Sequence, residues 1–240
     1  MFKNLLLATG WFSAPTAHAN PNRSQQCLDP YWLNHYWLPP LEKWLKPAHY
    51  FIYVSNCPTP PVLPLKYFQP ISQTIVTGYL DAQQLPHQHD FHATLIMAAQ
   101  YALMNHFDLL FVEQDCLVWG VEKLIPYLQT CPISYGFGEG ISFMPGWAEQ
   151  SLIWIRHDFL REFIYRTSSP EILDGLNTNE YPEPLFHRTF EDVFKPLPCG
   201  VGRRRPIPWE DDIFYFQQPR NSEIEKFQIV AQLKQEPQEI

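Results

Sequence analysis

The sequence predicts an α/β domain in which a mostly parallel sheet is flanked by helices. Several apolar runs are too short for helices yet nearly free of polar residues, as strands buried on both faces require. Leu109, Leu110, Phe111 and Val112 form the clearest of them. Longer stretches with apolar residues at helical spacing lie between these runs, so that strands and helices alternate. A length of 240 residues and a hydrophobic fraction of 45% suit one large domain with a substantial core.

Residues 4–9 read as the first strand, with a loop over residues 10–22 after it. The same stretch also has the outline of a short secretory signal, an apolar run behind Lys3 that ends in the cleavage-site pattern Ala17-His18-Ala19. The strand reading is preferred, because a single positive charge precedes the run and Thr9 and Gly10 interrupt it. Asp29 can cap a helix with Pro30 in its first position. The pair Pro39-Pro40 should break that helix, with a second turn over residues 40–45. Residues 50–54, β-branched and aromatic, are a second strand. Five prolines within residues 57–70 exclude a helix or a central strand there.

Residues 73–79 are a third strand. A helix over residues 89–105 places Leu95, Ile96, Ala99, Leu103 and Met104 on its apolar face. The strand over residues 108–112 follows. Further on, the patterning predicts a short helix over 122–128, a strand over 133–137 and a turn-rich linker over 138–146. A strand over 149–155 and a helix over 157–165 come next. Ser, Asn, Pro and acidic residues make residues 167–184 a loop, before a short helix over 186–193. The amphipathic run 213–217 reads as the start of a helix, and residues 221–240 as a C-terminal tail.

The net charge of −8, without a block of like charges, argues against non-specific nucleic-acid binding and against an anionic membrane surface. Five scattered cysteines contain no Cys-x-x-Cys pair, which disfavours a zinc site. Their odd number suits the reduced thiols of a cytoplasmic protein, secretion being the alternative if residues 1–19 are cleaved. No run reaches the eighteen or so apolar residues of a transmembrane segment. The 8 Trp, 12 Tyr and 17 Phe serve a core first, and can also offer rings on which sugars or bases stack. His87, His89 and His92 crowd the start of a helix, where a polar helix start with surface imidazoles is preferred to a metal site.

The strand over residues 108–112 delivers Glu113, Gln114 and Asp115 at its carboxyl end. In open α/β sheets ligands bind in the crevice at those ends. Two carboxylates one residue apart can hold a hard divalent cation that also binds phosphate oxygens. This stretch resembles the acidic strand-end motif of GT-A-fold glycosyltransferases, Asp-x-Asp, with Glu113 in place of the first Asp. The resemblance implies a single GT-A-like domain over 1–240, with a donor-binding part near 1–120 and an acceptor part near 121–220. It implies Mn²⁺ or Mg²⁺ held by Asp115 and Glu113, and a UDP- or GDP-sugar as donor. Thr9, Gly10 and Gln114 would join the donor site, and a saccharide or other hydroxyl compound would be the acceptor.

A second informative stretch runs from Gly200 to Asp212. Arg203, Arg204 and Arg205 are the densest positive charge in an acidic chain, and guanidinium forks suit phosphate. Glu210, Asp211 and Asp212 follow, at what reads as a helix N-terminus favourable to carboxylates. Inverting members of the resembled family place an acid pair at a helix start about a hundred residues after the metal motif, as general base. Asp211, 96 positions after Asp115, matches that place, with Glu210 and Asp212 beside it. Two other readings use the same residues differently: a hydrolase with paired carboxylates or a metal, and a non-catalytic carbohydrate-binding α/β protein.

Overall fold

The computed structural model describes residues 5–11, 32–42, 49–55, 75–76, 87–137, 147–178, 180, 182–199 and 205–235. A seven-stranded sheet organises them, in the order β3-β2-β1-β4-β7-β6-β8. Its strands are β1 (Leu5–Trp11), β2 (His49–Ser55), β3 (Ile75–Val76), β4 (Asp108–Val112), β6 (Ile133–Phe137), β7 (Ala148–Ile155) and β8 (Phe194–Pro196). The pairs β1/β2, β1/β4, β2/β3 and β6/β8 are parallel, while β7 runs antiparallel to both its neighbours. The expected α/β class with a mostly parallel sheet is therefore the one observed. Strand β5 (Cys116–Trp119) lies outside this sheet and pairs antiparallel with β9 (Phe214–Gln217).

Both faces of the large sheet are covered, which is why its central strands lack polar alternation. On one face Leu6, Ala8, Leu109 and Phe111 meet α2 (His87–Met104), α4 (Leu160–Thr167) and α6 (Pro182–Phe190). On the other, Leu5, Leu7, Leu110 and Val112 meet the β5/β9 ladder, α3 (Val121–Leu128) and the C-terminal helix α7 (Asn221–Gln235). Trp32 and Trp37, both fully buried, join this second core.

Helix α2 ends in a Schellman arrangement that drops the chain into β4. His106 has φ +60, its N–H reaches Leu103 O (3.4 Å), and Phe107 N–H reaches Ala102 O (2.9 Å). The buried stripe of α2 is Phe91, Leu95, Ala98, Ala99 and Ala102. The expected face was partly misplaced: Ile96 and Leu103 are only half-buried and Met104 is 71% exposed.

Several expectations are corrected. Pro39 and Pro40 do not break a helix. A π-helical turn (Leu33–Trp37) runs directly into α1 (Leu38–Glu42), and both prolines lie just after that junction. The loop expected over 167–184 contains helix α5 (Pro170–Asn177) and the start of α6. Ser169 caps α5 by accepting the Ile172 N–H (3.5 Å), Pro170 stands in the first turn, and Ile172, Leu176 and Leu185 form a small core beneath. The helix expected over 157–165 begins as a 3₁₀ turn (His157–Phe159) before α4.

The run expected to start a helix at 213 is strand β9, with all four residues buried against β5. The expected C-terminal tail is largely helix α7, which buries Ile224 and Phe227 three residues apart. The Glu223 carboxylate reaches back to the Arg220 N–H (2.8 Å), as in a capping box. The proline-rich segment 57–70, the linker 138–146, Asp29, Pro30 and most of the third strand lie outside the described residues.

Candidate active site

Strand order locates the crevice. From β1 the chain passes to β2 on one side and later to β4 on the other, so the order reverses between β1 and β4. Ligands of open α/β sheets sit outside the carboxyl ends of the strands at such a switch point. The β1/β4 register ends with Ala8 opposite Phe111, and continued by two steps it would set Thr9 and Gly10 alongside Val112 and Glu113. Thr9 is fully buried, and its hydroxyl donates to Gly10 O (3.3 Å).

The turn after β4 is held by its backbone. Cys116 N–H closes onto Glu113 O (3.0 Å) and Glu113 N–H donates to Ser151 O of β7 (2.8 Å). The indole N–H groups of Trp32 and Trp37 donate to Gln114 O (2.5 Å) and Glu113 O (3.0 Å). Two large rings thus bring their only polar atoms to the one turn that carries the acids. The side chains are supported from β9: Gln217 donates its amide to Glu113 Oε2, and Gln218 N–H bonds Asp115 O (2.9 Å). Gln114 and Asp115 are buried, while Glu113 is half-buried.

A third carboxylate shares this edge. Between the pairs Tyr135↔Ile153 and Gly136↔Glu149 the register shifts, leaving Gln150, Ser151 and Leu152 of β7 without a partner in β6. Such a bulge re-aims side chains and is favoured next to active sites. Gln150 turns to the helical face, beside Phe91 and His92. Glu149 is buried, and its Oε1 accepts the Ser151 N–H (3.1 Å) and the Ser151 hydroxyl. Cys116 lies among the acids: burial pushes its thiol well up, and the charges of Glu149, Glu113 and Asp115 push it further. Gly136 faces this cluster, where a Cβ would stand 2.2 Å from Tyr215 Oη and 2.9 Å from Glu149 Cβ.

The other sequence candidates fall elsewhere. Arg203 and Arg204 lie outside the described residues. Arg205 forms a fork on Glu223, with Nε at 2.5 Å and Nη2 at 2.8 Å, and Nη2 also reaches Gln217 O (3.3 Å) and Gln218 O (3.5 Å). Arg205 therefore braces the strand end beneath Glu113. Glu210, Asp211 and Asp212 are exposed and precede a strand, so the helix N-terminus expected there is absent. Their place is the far end of the β5/β9 ladder: Lys123 pairs with Asp212 (2.6 Å), and Asp212 O crowds Gly120. Five residue steps separate Asp115 from Gly120, roughly 17 Å of strand at about 3.4 Å each. The structure thus gathers Thr9, Gly10, Glu113, Gln114 and Asp115, and sets the 210–212 acids apart from them. His92 bonds Thr167 O (2.9 Å), a link between α2 and α4.

Sequence reasoning missed Glu149, Ser151, Tyr215 and Gln217. The signal for the first two was present, as Glu149, Gln150 and Ser151 are three polar residues heading an otherwise apolar strand. No such signal marked Tyr215 or Gln217, whose place depends on pairing with β5.

No family model matches the sequence, and no curated protein matches it. Similar solved structures include a glycosyltransferase involved in glycosylating the major capsid of PBCV-1, with 12% identity over 94% of this chain and 98% of that one and a TM-score of 0.46. A putative nucleotide-diphospho-sugar transferase from Desulfovibrio desulfuricans is 15% identical over 82% and 80% of the two chains, with a TM-score of 0.45. A Streptococcus pneumoniae glycosyltransferase is 10% identical over 82% of this chain and 45% of that one, at 0.41. With scores of this size, the chemistry of the site rests on its own residues. No helix among the described residues is long and apolar enough to cross a membrane.

Proposed function

We propose that this chain transfers a sugar from a nucleotide-sugar donor to an acceptor hydroxyl, with inversion and with the help of a divalent cation. The observation that carries this reading is the position of Glu113 and Asp115. They stand at the carboxyl edge of a mostly parallel sheet, at its switch point, on a turn braced by Trp32, Trp37 and Gln217. Among the described residues no group of three or more metal-ligating side chains is assembled. A cation of the Mg²⁺ or Mn²⁺ type takes one or two carboxylates and completes its shell with phosphate and water, so the pair Glu113 and Asp115 would be enough to hold one.

In this reading Asp115, seconded by Glu113, would hold the cation, and Gln114 belongs to the same donor-binding turn. A cation held there would supply positive charge against the departing diphosphate. Thr9 and Gly10 bring the end of β1 against the donor. Gly10 has no side chain, which allows backbone and ligand a close approach. Arg205 holds the Gln217–Gln218 strand end in place, and Arg203 and Arg204 are proposed to meet the diphosphate.

Titration of the full chain with UDP and with GDP, each with and without Mn²⁺, tests the reading. One nucleotide should bind, and bind more tightly with the cation. Binding of neither under any condition would remove the basis for sugar transfer.

A further inference from the structure

The sugar-transfer reading needs a carboxylate that takes the proton from the acceptor hydroxyl. The exposed acids 210–212 lie at the wrong end of the β5/β9 ladder for that task. Glu113 is engaged by Gln217, Asp115 is assigned to the cation, and Asp108 sits at the opposite, amino end of β4. We propose that Glu149 is that carboxylate, the general base of the transfer, and that Ser151 is the residue that positions it. This inference rests on the proposed function and adds a catalytic residue to it.

Four observations place Glu149 there. It shares the sheet edge with the acid pair, since Glu113 bonds Ser151 two residues away from it. It stands beside the bulge in β7, paired with Gly136 across the ladder. Gly136 opposite carries no Cβ, and only that absence makes room for Glu149 and Tyr215 side by side. Finally, the fully buried Tyr215 hydroxyl has no hydrogen-bond partner among the described residues and points at this spot. A buried hydroxyl without a partner costs on the order of 1–3 kcal/mol, so its retention beside an acid marks a polar site.

Glu149 Oε1 accepts two hydrogen bonds from Ser151, which fixes the plane of the carboxylate. The step balances as one displacement. The acceptor O–H proton passes to Glu149 while the acceptor oxygen forms its bond to the anomeric carbon. The bond from that carbon to the diphosphate oxygen breaks, and the electron pair leaves with the nucleoside diphosphate.

The test uses the purified full chain with Mn²⁺ and a panel of UDP-glucose, UDP-galactose, UDP-N-acetylglucosamine and GDP-mannose. It follows both transfer to oligosaccharides and the slower transfer to water. Glu149→Gln keeps an oxygen for Ser151 to bond and should bind UDP or GDP as the unaltered chain does. It should lose turnover by roughly 10²–10⁴, the contribution of a general base. Ser151→Ala tests the same idea with little risk to folding. It should lower kcat at unchanged donor KM and move the acid limb of the pH–rate profile upward, because a hydrogen bond to the charged carboxylate is lost. Full turnover in Glu149→Gln would overturn the proposal, as would an unmoved acid limb in Ser151→Ala. Loss of turnover in Asp211→Asn with Glu149→Gln active would transfer the role to Asp211. Failure of the unaltered chain to bind any nucleoside diphosphate would instead overturn the sugar-transfer reading itself.

Discussion

Gln217 donates its side-chain amide to Glu113 Oε2 across 104 positions of sequence. The last residue of the β5/β9 ladder thereby fixes the first acid of the strand-end motif. Gln217→Leu removes that donor at similar volume. If the hydrogen bond orients Glu113 for a cation, Mn²⁺-dependent UDP binding should weaken roughly tenfold, the worth of one charge-assisted hydrogen bond. Calorimetric titration checks this, and unchanged affinity would leave Gln217 with a purely structural role.

Asp115 is 6% exposed, and its backbone carbonyl is fixed by Gln218. Asp115→Asn retains shape and loses the charge a divalent ion needs. Binding of UDP with and without Mn²⁺ should become equal, with the unfolding midpoint little altered. A cation effect as large as in the unaltered chain would refute the assignment.

Gly136→Ala sets a methyl 2.2 Å from Tyr215 Oη and 2.9 Å from Glu149 Cβ. Both neighbours are buried, so the strand must shift, at a cost of about 1–3 kcal/mol. Adding Tyr215→Phe removes the nearer clash, and the double variant should recover part of the loss. Urea unfolding measures both, and strict additivity of the two changes would contradict the packing described.

Glu223 joins β9 to α7 through Arg205. Burial alone would raise its carboxyl, but the Arg205 fork, the Arg220 N–H and the charges of both arginines outweigh that and hold it below the usual value. A depressed folded value stabilises the fold above the unfolded value of about 4.3, and that contribution is lost as pH falls through the lower folded value. Stability measured from pH 7 downward should therefore fall across that acid window. In Glu223→Gln the fall should be shallower and the stability at pH 7 lower. An identical acid limb in the two proteins would show that another carboxylate governs it.

Strands β4 and β6 form at the bounds their apolar runs predict, Asp108–Val112 and Ile133–Phe137. Their legibility has a plain cause: a strand covered on both faces carries its burial in its own composition. The polar triplet ending β4 was legible for the same reason, since it interrupts such a run at the edge where ligands bind. Residues 213–217 show the opposite case. Five residues with aromatic and polar members satisfy a helix or a strand equally, and the choice fell to β5, whose Cys116 pairs with Gln217. Helices α5 and α6 were hidden by their exposed faces, which filled the window with Ser, Asn and acids. Only the burial of Ile172, Leu176 and Leu185 together reveals the covered side.

By itself, then, the sequence determined the class of sheet, most of its strands and the turn bearing Glu113 and Asp115, all properties of contiguous residues. Tertiary structure decided which distant side chains face that turn: Gln217 and Tyr215 through strand pairing, Glu149 through the bulge in β7, and Trp32 and Trp37 through their indole donors. It also set Asp211 apart. Spacing along a chain does not measure distance in space once a strand ladder lies between the two ends, as the β5/β9 ladder lies between Asp115 and Asp212.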